Sequence, residues 1–152
     1  MNKFMPFLLS GILLVGATAC GVAKTSSEAP NSTNSNDNGE LSTEDAQENQ
    51  EDATNQVRQK QIESDTRARQ QRNEAAGNPN EVSDNDIESL VRNALETKLP
   101  TSQLAVDSEE GVVTVSGKAA SQKDVDQIES ITKTVKGVKS VMVKATVDTS
   151  KQ

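Results

Sequence analysis

The sequence contains no histidine, tryptophan or tyrosine, and its 152 residues include one cysteine and two phenylalanines. Without His, the Ser–His–Asp and Cys–His nucleophilic arrangements are excluded, as are His-ligated metal sites. The single cysteine, Cys20, cannot close an internal disulfide. Both aromatics, Phe4 and Phe7, fall in one N-terminal run, so a chain processed after that run has no ring to seat at a membrane interface. Apolar residues make up only 32% of the chain, gathered in residues 4–15 and then from Val82 to Val147. The foldable part is therefore about 70 residues, a size that buries ~60% of its unfolded surface. No phosphate-cradling loop is present, because the stretch from Gly111 to Gly117 lacks a following Lys-Ser/Thr and encloses a strand. Carboxylates are the remaining reactive groups. Asp84, Asp86 and Glu88 read as the start of a helix and Asp107, Glu109 and Glu110 as a turn, so a solvated face is expected rather than an enzyme.

What is present begins with an address. Asn2 and Lys3 precede the apolar residues 4–15, and Gly16-Ala17-Thr18-Ala19 leads to Cys20. The apolar stretch is too short to span a bilayer comfortably and has the proportions of a signal peptide over residues 1–19. A lone cysteine directly after small residues resembles a bacterial lipobox, which implies cleavage between Ala19 and Cys20 and lipid attachment to Cys20. The alternative is an ordinary secretory signal that leaves a free thiol.

Residues 20–82 form an acidic, low-complexity segment with 6 Lys/Arg against 12 Asp/Glu. Its isolated apolar side chains cannot bury enough surface to offset ordering entropy. Residues 31–39 read as flexible linker. Residues 43–76 favour helix by composition, yet Ala46, Ala53, Val57 and Ile62 make no heptad, so a solvated, partly formed helix is expected, ended by Gly77-Asn78-Pro79. Asn34, Asn36, Asn38, Gly39 and Asp45 mimic the spacing of a calcium loop, but without its charged ligands or terminal Glu, so neither metal nor cofactor is expected.

Patterning becomes regular in residues 83–149. Ile87, Leu90, Val91, Ala94 and Leu95 make one helical stripe with Ser83 as N-cap, and Leu99-Pro100 ends it. Leu104 and Val106 alternate as a first strand. Gly111-Val112-Val113-Thr114-Val115-Ser116-Gly117 forms the second, with Val113 and Val115 on one face. Ser121 and Asp124 resemble a capping box for a second helix, whose buried face is Val125, Ile128, Ile131 and Val135 and whose C′ glycine is Gly137. Val141, Val143, Ala145 and Val147 alternate as a third strand. The expected fold class is α+β: a small αββαβ domain, a three-stranded mixed sheet with two helices on one face, after a long disordered or partly helical linker.

The glycine-bounded strand, with Gly111, Val113, Val115 and Gly117, followed by Gly137-Val138 and Val141, resembles a BON domain over about residues 84–148. BON domains are small αββαβ modules of bacterial envelope proteins, so the resemblance implies attachment to membrane phospholipid or to other envelope components. Many such proteins carry two copies; this chain shows one such pattern.

Charge adds a candidate contact. Residues 83–152 carry 9 Lys/Arg against 11 Asp/Glu, and Lys133, Lys136, Lys139 and Lys144 gather after the second helix and along the third strand. Four ammonium groups could meet anionic headgroups at about 1 kcal/mol each; the bland reading is scattered solubilising lysines. Nucleic acid is a poor partner for a chain of net charge −7. The expected protein is a lipid-anchored, exported envelope module facing the periplasm or an equivalent compartment. Its partner is anionic phospholipid or, alternatively, an envelope protein for which it acts as an adaptor.

Overall fold

A computed structural model describes residues 22–34, 41–75 and 82–148. Its elements run β1 (Ala23–Lys24), α1 (Thr43–Thr54), α2 (Gln56–Ala75), α3 (Asp84–Lys98), β2 (Gln103–Glu109), β3 (Val112–Ala119), α4 (Gln122–Lys133), β4 (Ser140–Val143) and β5 (Thr146–Val147). Cys20, the residue 1–19 address, Asn36, Asn38, Gly39 and Gly77-Asn78-Pro79 lie outside the described residues.

Local chemistry starts each helix of the C-terminal part where the sequence places it. The Ser83 side chain accepts the Asp86 N–H and opens α3; the Ser121 side chain accepts the Asp124 N–H and opens α4. Between them, β2 and β3 pair antiparallel from Gln103↔Lys118 to Glu109↔Val112. The two-residue connection, Glu110 (φ +53°) and Gly111 (φ +80°), has the positive φ at both positions that a type I′ hairpin turn requires. After the α4 crossover, β4 lies parallel to β3, pairing Val113 with Val141 and Val115 with Val143. Ile87, Val91 and Leu95 of α3 and Ile128 of α4 pack on Leu104, Val106, Val113 and Val115, which puts both helices on one sheet face. Val113 and Val115 are fully buried.

Three differences from the sequence reading have identifiable causes. The sheet has five strands, not three. One addition is β1, drawn from the segment read as linker, which pairs antiparallel with β2 through Ala23↔Val106 and Lys24↔Ala105. The other comes from a break in the expected third strand. The same offset pairs Val115 with Val143 and Lys118 with Thr146, so register survives, but the ladder lapses opposite Ser116–Gly117. Gly117 sits there at φ +125°, outside the extended region, and a Cβ on it would lie 2.0 Å from the Gln103 carbonyl oxygen.

The second difference is Gly137, which is not the C′ residue of α4. That helix is capped by Thr134, and Gly137 (φ +95°) lies three residues on, where a Cβ would meet Val82 and Ile87 at 2.9–3.0 Å. The third is the segment ahead of α3. Instead of one partly formed solvated helix it holds α1, opened by a reciprocal Ser42–Asp45 capping box, and α2, separated by Asn55. α2 buries none of its residues and is fastened to α3 by charge. Arg58 makes a two-pronged contact with Glu96, Arg69 and Arg72 reach Asp86, and Asn93 donates to Asp65 and Thr66. The Glu96 side chain is only 5% exposed, so the helix rests on α3 rather than in free solvent.

Residues 25–34 cover part of the sheet face opposite the helices. Thr25 donates its N–H to the Leu104 carbonyl (2.9 Å) while its Oγ1 accepts the Leu104 N–H (2.9 Å). Farther on, Thr33 Oγ1 donates to Asp107 Oδ2, and Ala29, Thr33 and Leu41 are all buried.

Candidate functional site

The candidate surface is the end of the domain where the β2–β3 hairpin, the start of α3 and the α4–β4 loop meet. Asp84, the first residue of α3, assembles it. Its carboxylate accepts the Ser108 hydroxyl (2.8 Å) and the Glu110 and Gly111 N–H groups (2.9 Å each). Burial alone would raise this carboxyl. The three donors, with the Lys139 charge nearby, outweigh burial and hold it below the usual carboxylate range. Asp84 thereby satisfies the backbone of a turn whose non-glycine member, Glu110, occupies the left-handed region.

The other carboxylates at this helix start are less solvated than the sequence suggests. Asp86 is buried and ion-paired with Arg69 and Arg72. Glu88 is buried and accepts the Ser108 N–H (3.2 Å). Burial, aided by the Asp107 and Asp84 charges, pushes the Glu88 carboxyl up against that one donor. The expected solvated face is therefore not found at Asp86 and Glu88, because α3 packs on β2 and excludes water from them.

The four lysines have different surroundings. Lys139 gives its backbone N–H to the Gly111 carbonyl (2.8 Å), and its stem passes beside Gly111. Lys136 lies one residue before Gly137, itself against Val82 and Ile87 at the start of α3. Lys133 is the last residue of α4, exposed and paired with Glu129. Only Lys139 is thereby set against the hairpin, which also carries Glu109 and Glu110, whereas Lys136 lines a cleft beside α2 and α3. Lys144 is engaged elsewhere. Its ammonium donates to the Thr33 carbonyl (3.2 Å) and Asn34 Oδ1 (3.4 Å), binding the covering segment. Val138 packs on the core, and Val141 sits beside Val113 on the helix-facing side of the sheet.

Asn34 and Asp45, the described members of the calcium-like spacing, are otherwise engaged, Asn34 with Lys144 and Asp45 in the α1 capping box. Among the described residues, no group of three or more His, Cys, Asp and Glu is placed to hold a metal ion. No helix among them is long and apolar enough to cross a membrane. A cleft of about 540 Å³ lies between α2, α3 and the turn after α4, with Ile62, Leu90, Val82 and Val135 in its walls and Lys98 and Lys136 among its polar groups. Sequence reasoning missed this cleft because α2 carries no apolar stripe to announce its packing partner.

The geometry defines a two-layer α+β module with a charged loop end. Comparison with known families makes the class specific: residues 83–149, which hold the αββαβ part of the chain, match the BON domain model. No curated protein matches the chain.

Proposed function

We propose that the chain is a lipid-anchored, exported module of the bacterial cell envelope whose BON domain associates with anionic phospholipid surfaces, in envelope maintenance or osmotic stress. It is a binding module, not an enzyme, and Cys20 carries the lipid. The observation that supports the reading is Lys139, whose stem abuts Gly111 of the hairpin, in the same α4–β4 connection that carries Lys136 and follows Lys133. Asp84, whose carboxylate feels the Lys139 charge, already spends its own on three donors.

Three lysines at about 1 kcal/mol each amount to about 3 kcal/mol, a little over a hundredfold in affinity. The chain from Val22 onward should bind phosphatidylglycerol vesicles weakly and phosphatidylcholine vesicles hardly at all. Binding should fall as salt shortens the Debye length. Changing Lys133, Lys136 and Lys139 together to Gln should abolish it with an unchanged melting temperature, since exposed lysines add little stability. Equal retention on both vesicles, or by the triple variant, overturns the lysine contact. The cleft beside α2 favours a second reading, an adaptor that holds an apolar peptide of a partner protein; absence of binding to either vesicle would move the assignment there.

A further inference from the structure

The distance between the anchor and the domain is set by β1, and it is short. Ala23 pairs with Val106, and the Thr25–Leu104 pair of hydrogen bonds locks the next step of the chain to β2. Cys20 and Ala23 are three chain steps apart, with only Gly21 and Val22 between them, a span of at most ~11 Å. A free linker of some 60 residues would instead allow an r.m.s. reach of about 40 Å. The remainder of that segment does not lengthen the tether, because residues 25–34 turn back over the sheet and α1 and α2 turn back onto α3.

Direction follows from the pairing. β1 is antiparallel to β2, so its N-terminal end points along β2 toward Asp107, Ser108 and Glu109. That is the hairpin end, where Asp84 meets Gly111 and Lys139 lies alongside. We infer that β1 acts as a short leash that seats the BON domain on the bilayer with the β2–β3 hairpin and the α4–β4 loop turned toward the headgroups, and the Ala119–Ser121 end turned away. The inference rests on the lipid-anchor reading above, and its partner is the lipid surface to which the chain is attached. The lysines would then meet headgroups because the leash presents them, not because they search for the membrane.

The test uses the full-length lipidated chain in vesicles containing a short-range nitroxide quencher on the headgroup. Acylation occupies the only native thiol, so a single introduced cysteine carries the fluorophore: Glu109→Cys near the hairpin, or Ala120→Cys beyond the opposite end of β3. The two positions are about 25 Å apart along the strand. The leash predicts several-fold stronger quenching at position 109 than at 120. Thr25→Pro, which removes the N–H and hydroxyl that clamp Leu104, should equalise the two, with far-ultraviolet circular dichroism confirming a retained fold. The near–far difference in the unaltered chain does not depend on that variant's folding.

Equal quenching at the two positions in a chain that co-floats with vesicles overturns the leash and leaves the anchor standing. Undiminished co-flotation of Cys20→Ser overturns the anchor itself, and the leash with it. Loss of the near–far difference in the Lys133, Lys136 and Lys139 triple Gln variant would assign the orientation to the lysines and overturn β1 as its cause.

Discussion

Replacing Asp84 with Ala removes one carboxylate and three hydrogen bonds at once, from Ser108 Oγ and from the Glu110 and Gly111 N–H groups. Hydrogen bonds to a charged group are worth roughly 1.5–3 kcal/mol each when buried. Asp84 is only partly buried, and water can re-solvate the turn, so the summed loss should be about 2–3 kcal/mol. Part of it is the left-handed conformation of Glu110, no longer held by an acceptor for its N–H. For a domain of this size that corresponds to about 10–20 °C in melting temperature. The pH dependence has a definite sign. The folded-state carboxyl lies below its unfolded value. Its contribution is therefore complete above the unfolded pKa near ~4 and is lost as pH falls through the lower folded value. Thermal and urea melts of the chain from Val22, with and without Asp84→Ala, should show a constant gap above about pH 5 that closes toward about pH 2. A gap under roughly 0.5 kcal/mol at neutral pH would refute the account. So would a gap that persists undiminished in acid, which would mean that the side chain acts without its charge.

Three further outcomes test the packing. Val115→Asp places an unpaired charge in the core between both helices and the sheet and should abolish cooperative unfolding; a wild-type melt would reverse the face assignment of β3. Gly117→Ala drives a Cβ to within 2.0 Å of the Gln103 carbonyl at φ +125°, so it should destabilise by at least about 3 kcal/mol in urea melts, far beyond the usual Gly-to-Ala range. Arg58→Gln strands the nearly buried Glu96, yet α2 buries no residue and can lift to let water in. Amide exchange across residues 56–75 should therefore rise about tenfold while β2 and β3 keep their protection, and unchanged exchange in α2 would show that charge does not hold it.

The αββαβ order was legible before any coordinates because each element there carries its own local signal. Ser83 and Ser121 cap helices from within three residues, the Ile87–Leu95 stripe repeats at helical period, and Val113 and Val115 alternate between turn residues. These are short-range constraints, and a linear reading captures them. The rest depends on partners far along the chain. β1 has only two residues, too few to show a period, and exists because Val106 lies beside it some 80 residues later. α2 has no apolar stripe, since its partners are ionic and Arg58 meets Glu96 across 38 residues. Asp84 read as an ordinary helix-start charge, and only the approach of the β2–β3 turn makes it the acceptor for Glu110 and Gly111. Lys144 shares a stretch with Lys139 but follows a strand whose alternation sends it to the opposite face, where Thr33 meets it. Sequence by itself determined the two helices and the β2–β3 pair of residues 83–119 and 121–133 and that Val113 and Val115 face inward, because those follow from residue type at fixed spacing. Tertiary structure alone decided which charges are buried, which lysine lies beside the hairpin and how closely residues 23–25 are held to β2, because each of these depends on what a remote segment brings alongside.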